Sequence, residues 1–304
     1  MEASLMRHEL CLCTGADALA QRTVPFVEEG FEAGEPVIAV LHGEHGTALR
    51  DGLGAGADAL TLIDPDEHYS RPEAALASYD ATLRRLIGGG APGVRLVGEL
   101  PTIRTAAGWD RWAAYDAILN RAFAHHPVWI VCVYDTETLP EHAVHAARCT
   151  HPVAFGAAGR PNDDYLPPDD VVRAHTPATA PLDGLEALEV DGDGAELRRR
   201  LGVALDAAGV EPEDGGGMLL AVGEVYNNAR RHAGGATAVR VGVVNGHFVC
   251  EVHDAGPGVE DPLAGFLPPR PGAGSGAGLW VARQATQQLE TVVAPGGHAV
   301  RLWA

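Results

Sequence analysis

Positive charge is scarce in this chain: 22 Lys and Arg face 41 Asp and Glu, a formal net charge of −19 over 304 residues. That balance opposes approach to a phosphate backbone or an anionic lipid surface, so no direct nucleic-acid partner is expected. Cysteine is sparse as well. The five thiols, Cys11, Cys13, Cys132, Cys149 and Cys250, are odd in number and scattered, whereas disulfide scaffolds are small and cysteine-dense. Reduced, structural thiols in a cytoplasmic protein are the expectation. Cys11 and Cys13 alternate within an apolar run, so on a strand they share one face, and two thiols alone do not make the four ligands of a zinc site. Long apolar runs are also missing: no stretch reaches the roughly 20 residues of a membrane span. The N-terminal MEASLMRHELCLC places charges where a signal peptide requires an apolar core.

What is present is globular. The 46% hydrophobic content is ordinary, and the 38 Gly and 21 Pro follow no period, which excludes collagen-like and wholly disordered classes. Their abundance, with that of Ala, Arg and Asp, points to a GC-rich bacterial genome. The length accommodates two domains. In the first, ELCLC, PVIAVL, ALTLI, VRLVGEL and VWIVCVYD read as strands. Helical spacing separates them over Asp17 to Gly30, Pro72 to Ile87 and Trp109 to Ala124, giving a parallel α/β sheet. From Gly156 to Asp183 the chain is rich in Pro and Asp without a period, the composition of a linker or covering strap. The expected organisation is a domain over 1–160, a linker over 161–183 and a second domain over 184–304. In that second domain LEALEV is a strand and Gly194 to Ala208 and Glu213 to Ala233 are helices. ATAVRVGVVNGHFVCEVHD is a hairpin turning at Asn245-Gly246. A Gly/Pro-rich loop, a helix from Leu279 to Leu289 and the strands LETVVA and HAVRLWA complete an α/β sandwich with a mixed sheet.

Three segments of the second domain carry chemistry together. In LLAVGEVYNNARRHAGG, Leu220, Glu224, Asn228 and Arg231/His232 share one side of a helix. The carboxylate and carboxamide are hard oxygen donors that suit Mg²⁺ shared with phosphates. In HDAGPGV, Asp254 ends a strand and can accept from an exocyclic amine, while Gly256 and Gly258 permit close backbone approach. In GAGSGAGLWVARQ, Gly272, Gly274, Gly276 and Gly278 lead into a helix, and glycine amides at a helix N-terminus cradle phosphate.

The order and spacing of these segments resemble the GHKL ATPases, whose N box is matched by Glu224 and Asn228. The first Gly box is matched by Asp254, Gly256 and Gly258, and the second by Gly276, Gly278 and Leu279. The resemblance covers about 120 residues and implies a Bergerat-type ATP-binding fold. Within that superfamily GEVYNNARRH and GGHAVRLW resemble the anti-sigma-factor serine/threonine kinases. The resemblance implies ATP and Mg²⁺ as cofactors, with Asn228 on the metal, Asp254 on the adenine amine and Gly256, Gly258, Gly274, Gly276, Gly278 and Leu279 around the pocket and lid. Arg270 in the lid is either a solvated loop arginine or one that reaches a phosphate. Glu224 would be general base for a serine or threonine hydroxyl of an anti-anti-sigma (STAS) partner, in a possible homodimer that controls transcription indirectly. One departure is His298-Ala299, where the family carries a hydroxyl that assists adenine recognition. The alternative reading is a nucleotide-dependent switch that sequesters a sigma factor or other partner without phosphoryl transfer. A sensor histidine kinase would need a long two-helix hairpin bearing its phosphoacceptor, which the proline-rich residues 156–183 cannot supply.

The first domain, over about residues 5 to 168, resembles the MEDS sensory domain of DcmR-type regulators, which is itself similar to RecA/KaiC-like ATPases. The residues that carry this are His8, FVEEGFEAGEPV from Phe26, Gly98-Glu99, Tyr115-Asp116 with Asn120, Cys132-Val133-Tyr134-Asp135 and Thr150-His151-Pro152. Where a RecA-like ATPase has its phosphate-binding loop, this chain has CLCTGADALAQRT, with no lysine, so the domain lacks a P-loop. A small-ligand pocket is expected at the C-terminal strand ends, lined by His8, Glu99, Tyr134, Asp135 and His151, where His plus carboxylate could hold a metal.

Overall fold

The computed structural model describes residues 5–156, 160–176, 182–190, 194–266, 277–294 and 296–304. It forms two compact units, Met1–His175 and Thr176–Ala304.

The first unit runs β1 (Arg7–Cys13), α1 (Gly15–Glu32), β2 (Val37–Val40), α2 (Gly43–Leu53), a 3₁₀ segment, β3 (Thr61–Ile63), α3 (Pro65–His68) and α4 (Pro72–Gly88). It continues with β4 (Val94–Gly98), α5 (Ala106–Ala122), β5 (Val128–Asp135), α6 (Glu141–Thr150), β6 (Val153–Ala154) and α7 (Pro168–His175). The six strands pair in the order β3-β2-β4-β5-β1-β6, all parallel. Strands buried on both faces need continuous apolar runs, which is why VIAV in β2 is buried throughout. Alternation along β1 and β5 sends Cys11, Cys13, Val131 and Val133 into one core with Leu19, Phe26 and Leu49. By the same alternation His8, Cys132 and Tyr134 point to the other face.

The stretch read as linker is not structureless. Over Pro168–His175 it is helical, with Val171 and Val172 buried. Two apolar side chains in eight residues gave no period to read, yet they suffice to dock one short helix.

The second unit runs β7 (Glu186–Ala187), α8 (Gly194–Ala207), α9 (Pro212–His232), β8 (Ala236–Val244), β9 (His247–Asp254), α10 (Ala277–Ala285), β10 (Gln288–Ala294) and β11 (Gly297–Trp303). In α9, Pro212 sits in the first turn with Glu213 and Asp214, and Arg230, Arg231 and His232 close the last. That arrangement matches the helix dipole at both ends. Asn245 (φ 52°) and Gly246 (φ 85°) make the expected left-handed hairpin turn.

The sheet is β10-β11-β9-β8-β7, and every pairing in it is antiparallel. The expectation of a mixed sheet is therefore corrected. A strand, a helix and a strand in succession (β9, α10, β10) suggest a parallel crossover, but β11 inserts between β9 and β10 and pairs with both. Helix α10 also ends at Ala285, earlier than the apolar pattern suggests, because Gln288 already opens β10. The core of this unit joins Leu197, Leu201 and Leu205 of α8 with Met218, Val222 and Val225 of α9 and Val252 and Leu302 of the sheet. Helices α9 and α10 approach so closely that a Cβ on Gly217 would run into the Ala285 carbonyl.

Candidate nucleotide and ligand sites

The second unit places the three segments as follows. Glu224 and Asn228 lie one turn apart on α9, and neither side chain makes a hydrogen bond to another described residue. Gly278, in the first turn of α10, faces both. A Cβ there would lie 2.9 Å from Asn228 Nδ2 and 3.1 Å from Glu224 Oε2. A glycine lets the backbone of α10 come this close while the carboxylate and carboxamide keep these positions.

At the end of β9, Asp254 Oδ1 accepts from the Gly256 N–H at 2.8 Å. Its other oxygen stays free among the described residues and can receive an amine. Gly258 has φ +87°, and a Cβ there would lie 3.0 Å from the His298 ring. His298 pairs in register with Asp254. Its Nε2 is buried without a hydrogen-bond partner among the described residues, and burial pulls its pKa below the usual histidine value, with Asp254 opposing the shift. Leu279 packs against the left-handed Gly265 and the core. Gly274 and Gly276, like Gly272 and Arg270, lie outside the described residues.

In the first unit, the five residues expected around one pocket divide into two groups. Glu99 and Asp135 sit at the C-terminal strand ends with His45. His45 Nδ1 is 2.6 Å from Glu99 Oε1 and its Nε2 is 3.7 Å from Asp135 Oδ2, too far for a hydrogen bond. Glu99 also accepts from the His42 N–H at 2.9 Å, which together with His45 opposes the upward shift that burial imposes on its carboxyl. Asp135 Oδ1 accepts from the Gly15 N–H at 3.1 Å and the Glu137 N–H at 3.0 Å. The first amide of α1, where a phosphate-binding loop would present its N–H groups, is thus occupied by the chain's own carboxylate.

His8, Tyr134 and His151 gather instead on the other face, with Asp116 of α5 and Cys132 of β5. His8 Nε2 is 3.3 Å from Cys132 Sγ, the His8 and His151 rings are 4.1 Å apart, and the Tyr134 hydroxyl donates to Asp116 Oδ2. Burial drives His151 down to about 4 and Asp116 up to about 7. It also lowers His8, helped by His151 and opposed by Asn120, and raises Cys132. A cavity beside them is bordered by Tyr69, Tyr79, Tyr115 and Tyr134, with Glu99 at its edge. It offers about 20 Å³ to a water-sized sphere, room for a water or two rather than a sizeable organic ligand.

Two family models match the chain. Residues 7–152 match the MEDS domain, described as the methanogen/methylotroph, DcmR sensory domain. Residues 191–303 match the histidine kinase-like ATPase domain. The chain carries a MEDS domain followed by a histidine kinase-like ATPase domain. Comparison with curated proteins gives no match.

The ATPase domain implies ATP binding with Mg²⁺, and its residues fit that group. A carboxylate at Asp254 with one oxygen free among the described residues, side-chain oxygens on Glu224 and Asn228 that no described residue engages, and the close approach of α10 at Gly278 are all in place. In the MEDS domain, Asp116 and Cys132 belong to the buried cluster although neither was singled out as a ligand. Both stand in motifs that carry the resemblance, which was the available signal. His45 had none, since α2 lacks a readable apolar stripe. Among the described residues no helix is long and apolar enough to cross a membrane.

Proposed function

We propose that the chain is a ligand-responsive, ATP- and Mg²⁺-dependent protein serine/threonine kinase of the anti-sigma-factor type. In this reading it phosphorylates an anti-anti-sigma (STAS) partner, with the MEDS domain tuning the reaction. The observation that carries the reading is the placement of Glu224 and Asn228 on one face of α9 against Gly278. A carboxylate there is a candidate base beside a carboxamide suited to metal-bound phosphate.

The bound Mg·ATP supplies the phosphoryl group and neutralises the charge that develops on it. The residues do the rest. Asp254, held by the Gly256 N–H, accepts from the adenine amine and orients the base. Asn228 offers its carboxamide oxygen to the cation. Glu224 takes the proton from the incoming hydroxyl, and the absence of a competing donor among the described residues leaves its oxygens available. Alignment and charge neutralisation supply most of the remaining rate.

The test is incubation with labelled ATP, Mg²⁺ and STAS-type proteins. The kinase reading expects label on the partner that disappears in Glu224→Ala while nucleotide binding persists. Tight partner binding without label would overturn it and favour the sequestering switch, a reading that His298 in place of the family's hydroxyl supports.

A further inference from the structure

We propose that His8, Asp116, Cys132 and His151 of the MEDS domain form a four-ligand site for a borderline divalent cation of the zinc class. This does not depend on the kinase reading, because it concerns other residues in the other unit.

Hydrogen bonding fixes which ring nitrogens are free. The Asn120 amide nitrogen donates to the Thr150 carbonyl at 2.8 Å and the Ala117 carbonyl at 3.3 Å, so its Oδ1 must be the acceptor for His8 Nδ1 at 3.1 Å. His8 therefore carries its proton on Nδ1 and presents a lone pair from Nε2 towards Cys132 Sγ. His151 Nδ1 is 2.7 Å from the Ala147 carbonyl. A carbonyl only accepts, and the Thr150 hydroxyl, 2.9 Å from the same nitrogen, itself donates to that carbonyl, so His151 too is protonated on Nδ1 and presents a lone pair from Nε2.

That Nε2 is buried with no hydrogen-bond partner among the described residues, and so is Asp116 Oδ1. His151 and Asp116 are 0% and 1% exposed. Tyr134 satisfies the other carboxylate oxygen. Four groups thus converge with more lone pairs than protons to fill them, since the thiol and any proton on Asp116 are the only donors directed inward. An assembly of buried acceptors calls for a cation.

The distances agree. One ligand atom from each residue lies within 4.8 Å of all the others, with His8 Nε2 to Cys132 Sγ at 3.3 Å; His151 Nε2 comes within 4.0 Å of the Asp116 carboxylate, at the oxygen that Tyr134 also holds. Tetrahedral zinc, with bonds of about 2.0–2.3 Å, holds its ligand atoms about 3.3–3.6 Å apart, so a modest inward movement closes the site. Charge agrees as well. On binding, Cys132 and Asp116 give up any proton they hold to solvent. One thiolate, one carboxylate and two neutral imidazoles then cancel a dication, which a buried site requires. Asn120, the Ala147 carbonyl and Tyr134 are the outer partners that orient metal ligands in such centres. Imidazole, thiolate and a single carboxylate suit zinc better than Mg²⁺ or Ca²⁺.

The experiment uses the full chain, purified without chelator for metal analysis, then stripped and titrated with Co²⁺ as a spectroscopic probe. The proposal expects one equivalent per chain, intense d–d bands of tetrahedral cobalt and a thiolate charge-transfer band. That band should vanish in Cys132→Ser and survive in Cys149→Ser. Tyr134→Phe should lower affinity by about 10- to 100-fold. If Cys132→Ser does not fold, X-ray absorption on the zinc-loaded native chain decides, with one sulfur and three nitrogen or oxygen neighbours expected. No stoichiometric metal, a charge-transfer band that persists without Cys132, or a zinc spectrum lacking sulfur would each overturn the site. The first of these results would leave a buried water as the cluster's occupant.

Discussion

The two domains treat their polar side chains in opposite ways. The MEDS domain draws His8, Asp116, Cys132 and His151 from β1, α5, β5 and the end of α6 into burial, and anchors each imidazole through Nδ1. The ATPase domain leaves Glu224, Asn228 and Asp254 less deeply buried at the ends and faces of its elements, with few bonds to one another. Groups kept for a ligand that comes and goes remain hydrated between visits at little cost. Groups sealed in a core require a resident partner at all times. On the proposed readings the contrast separates a turnover site from a resident site, and substitutions can break it.

The largest expected effect is on phosphoryl transfer. Glu224→Ala should lower the rate by about 100- to 10,000-fold, the range for loss of a general base, while the melting temperature still rises with ATP. Cys132→Ser in the other domain should leave ATP affinity within experimental error, measured by calorimetry. An equal loss of ATP binding in both variants would erase the distinction between the sites.

Next in size is a stability effect at the edge of the nucleotide site. A Cβ on Gly297 would run into the Asp254 carbonyl, with the Ala255 Cα 3.0 Å away. Both are backbone and cannot swing aside. Gly297→Ala should cost about 1–3 kcal/mol in a urea titration. Gly278→Ala meets only the ends of the Asn228 and Glu224 side chains, which can rotate. Its expected signature is a loss of Mg·ATP affinity on the order of tenfold, about 1.4 kcal/mol, with a smaller change in the urea midpoint. A larger loss of stability than of affinity would show that α10 packing, rather than the site, needs this glycine.

The same contrast explains what could be read in advance. Each part of the nucleotide site is local: Glu224 and Asn228 are one helical turn apart, and Asp254 stands two residues from Gly256. Spacing along the chain therefore reports geometry directly. The parallel strands of the MEDS domain were legible for a similar reason, since strands buried on both faces are continuous apolar runs. Its buried cluster was not, because residues 8, 116, 132 and 151 meet only through the strand order β5-β1-β6 and the crossover of α5. No periodicity encodes that order. The division of the expected pocket into two has the same origin: in β5, Tyr134 and Asp135 are neighbours and so point to opposite faces. Helix α7 was missed because an eight-residue amphipathic segment among prolines offers too few positions for a period to emerge.

The smallest effect tests whether His298 belongs to the ATPase site as a neutral group. Burial is the main cause that lowers its pKa, His253 adds to it and Asp254 opposes it. In the unfolded chain the ring titrates near its ordinary value of 6.5, so on acidification the unfolded state takes up the proton first. Stability from this group is therefore complete above that value. It declines as the pH falls towards the lower folded value, and the loss grows no further below it. Other buried histidines, His8 and His151 among them, slope the same way, so the readout is the difference between native and His298→Thr chains. Urea titrations between about pH 8 and pH 5 should show the native chain losing more stability than the variant. The threonine would also restore the hydroxyl expected beside Asp254, so the variant should bind ATP at least as tightly at every pH. Weaker ATP binding by the variant would mean that His298 itself contacts the nucleotide, and would move it from the border of the site to its interior.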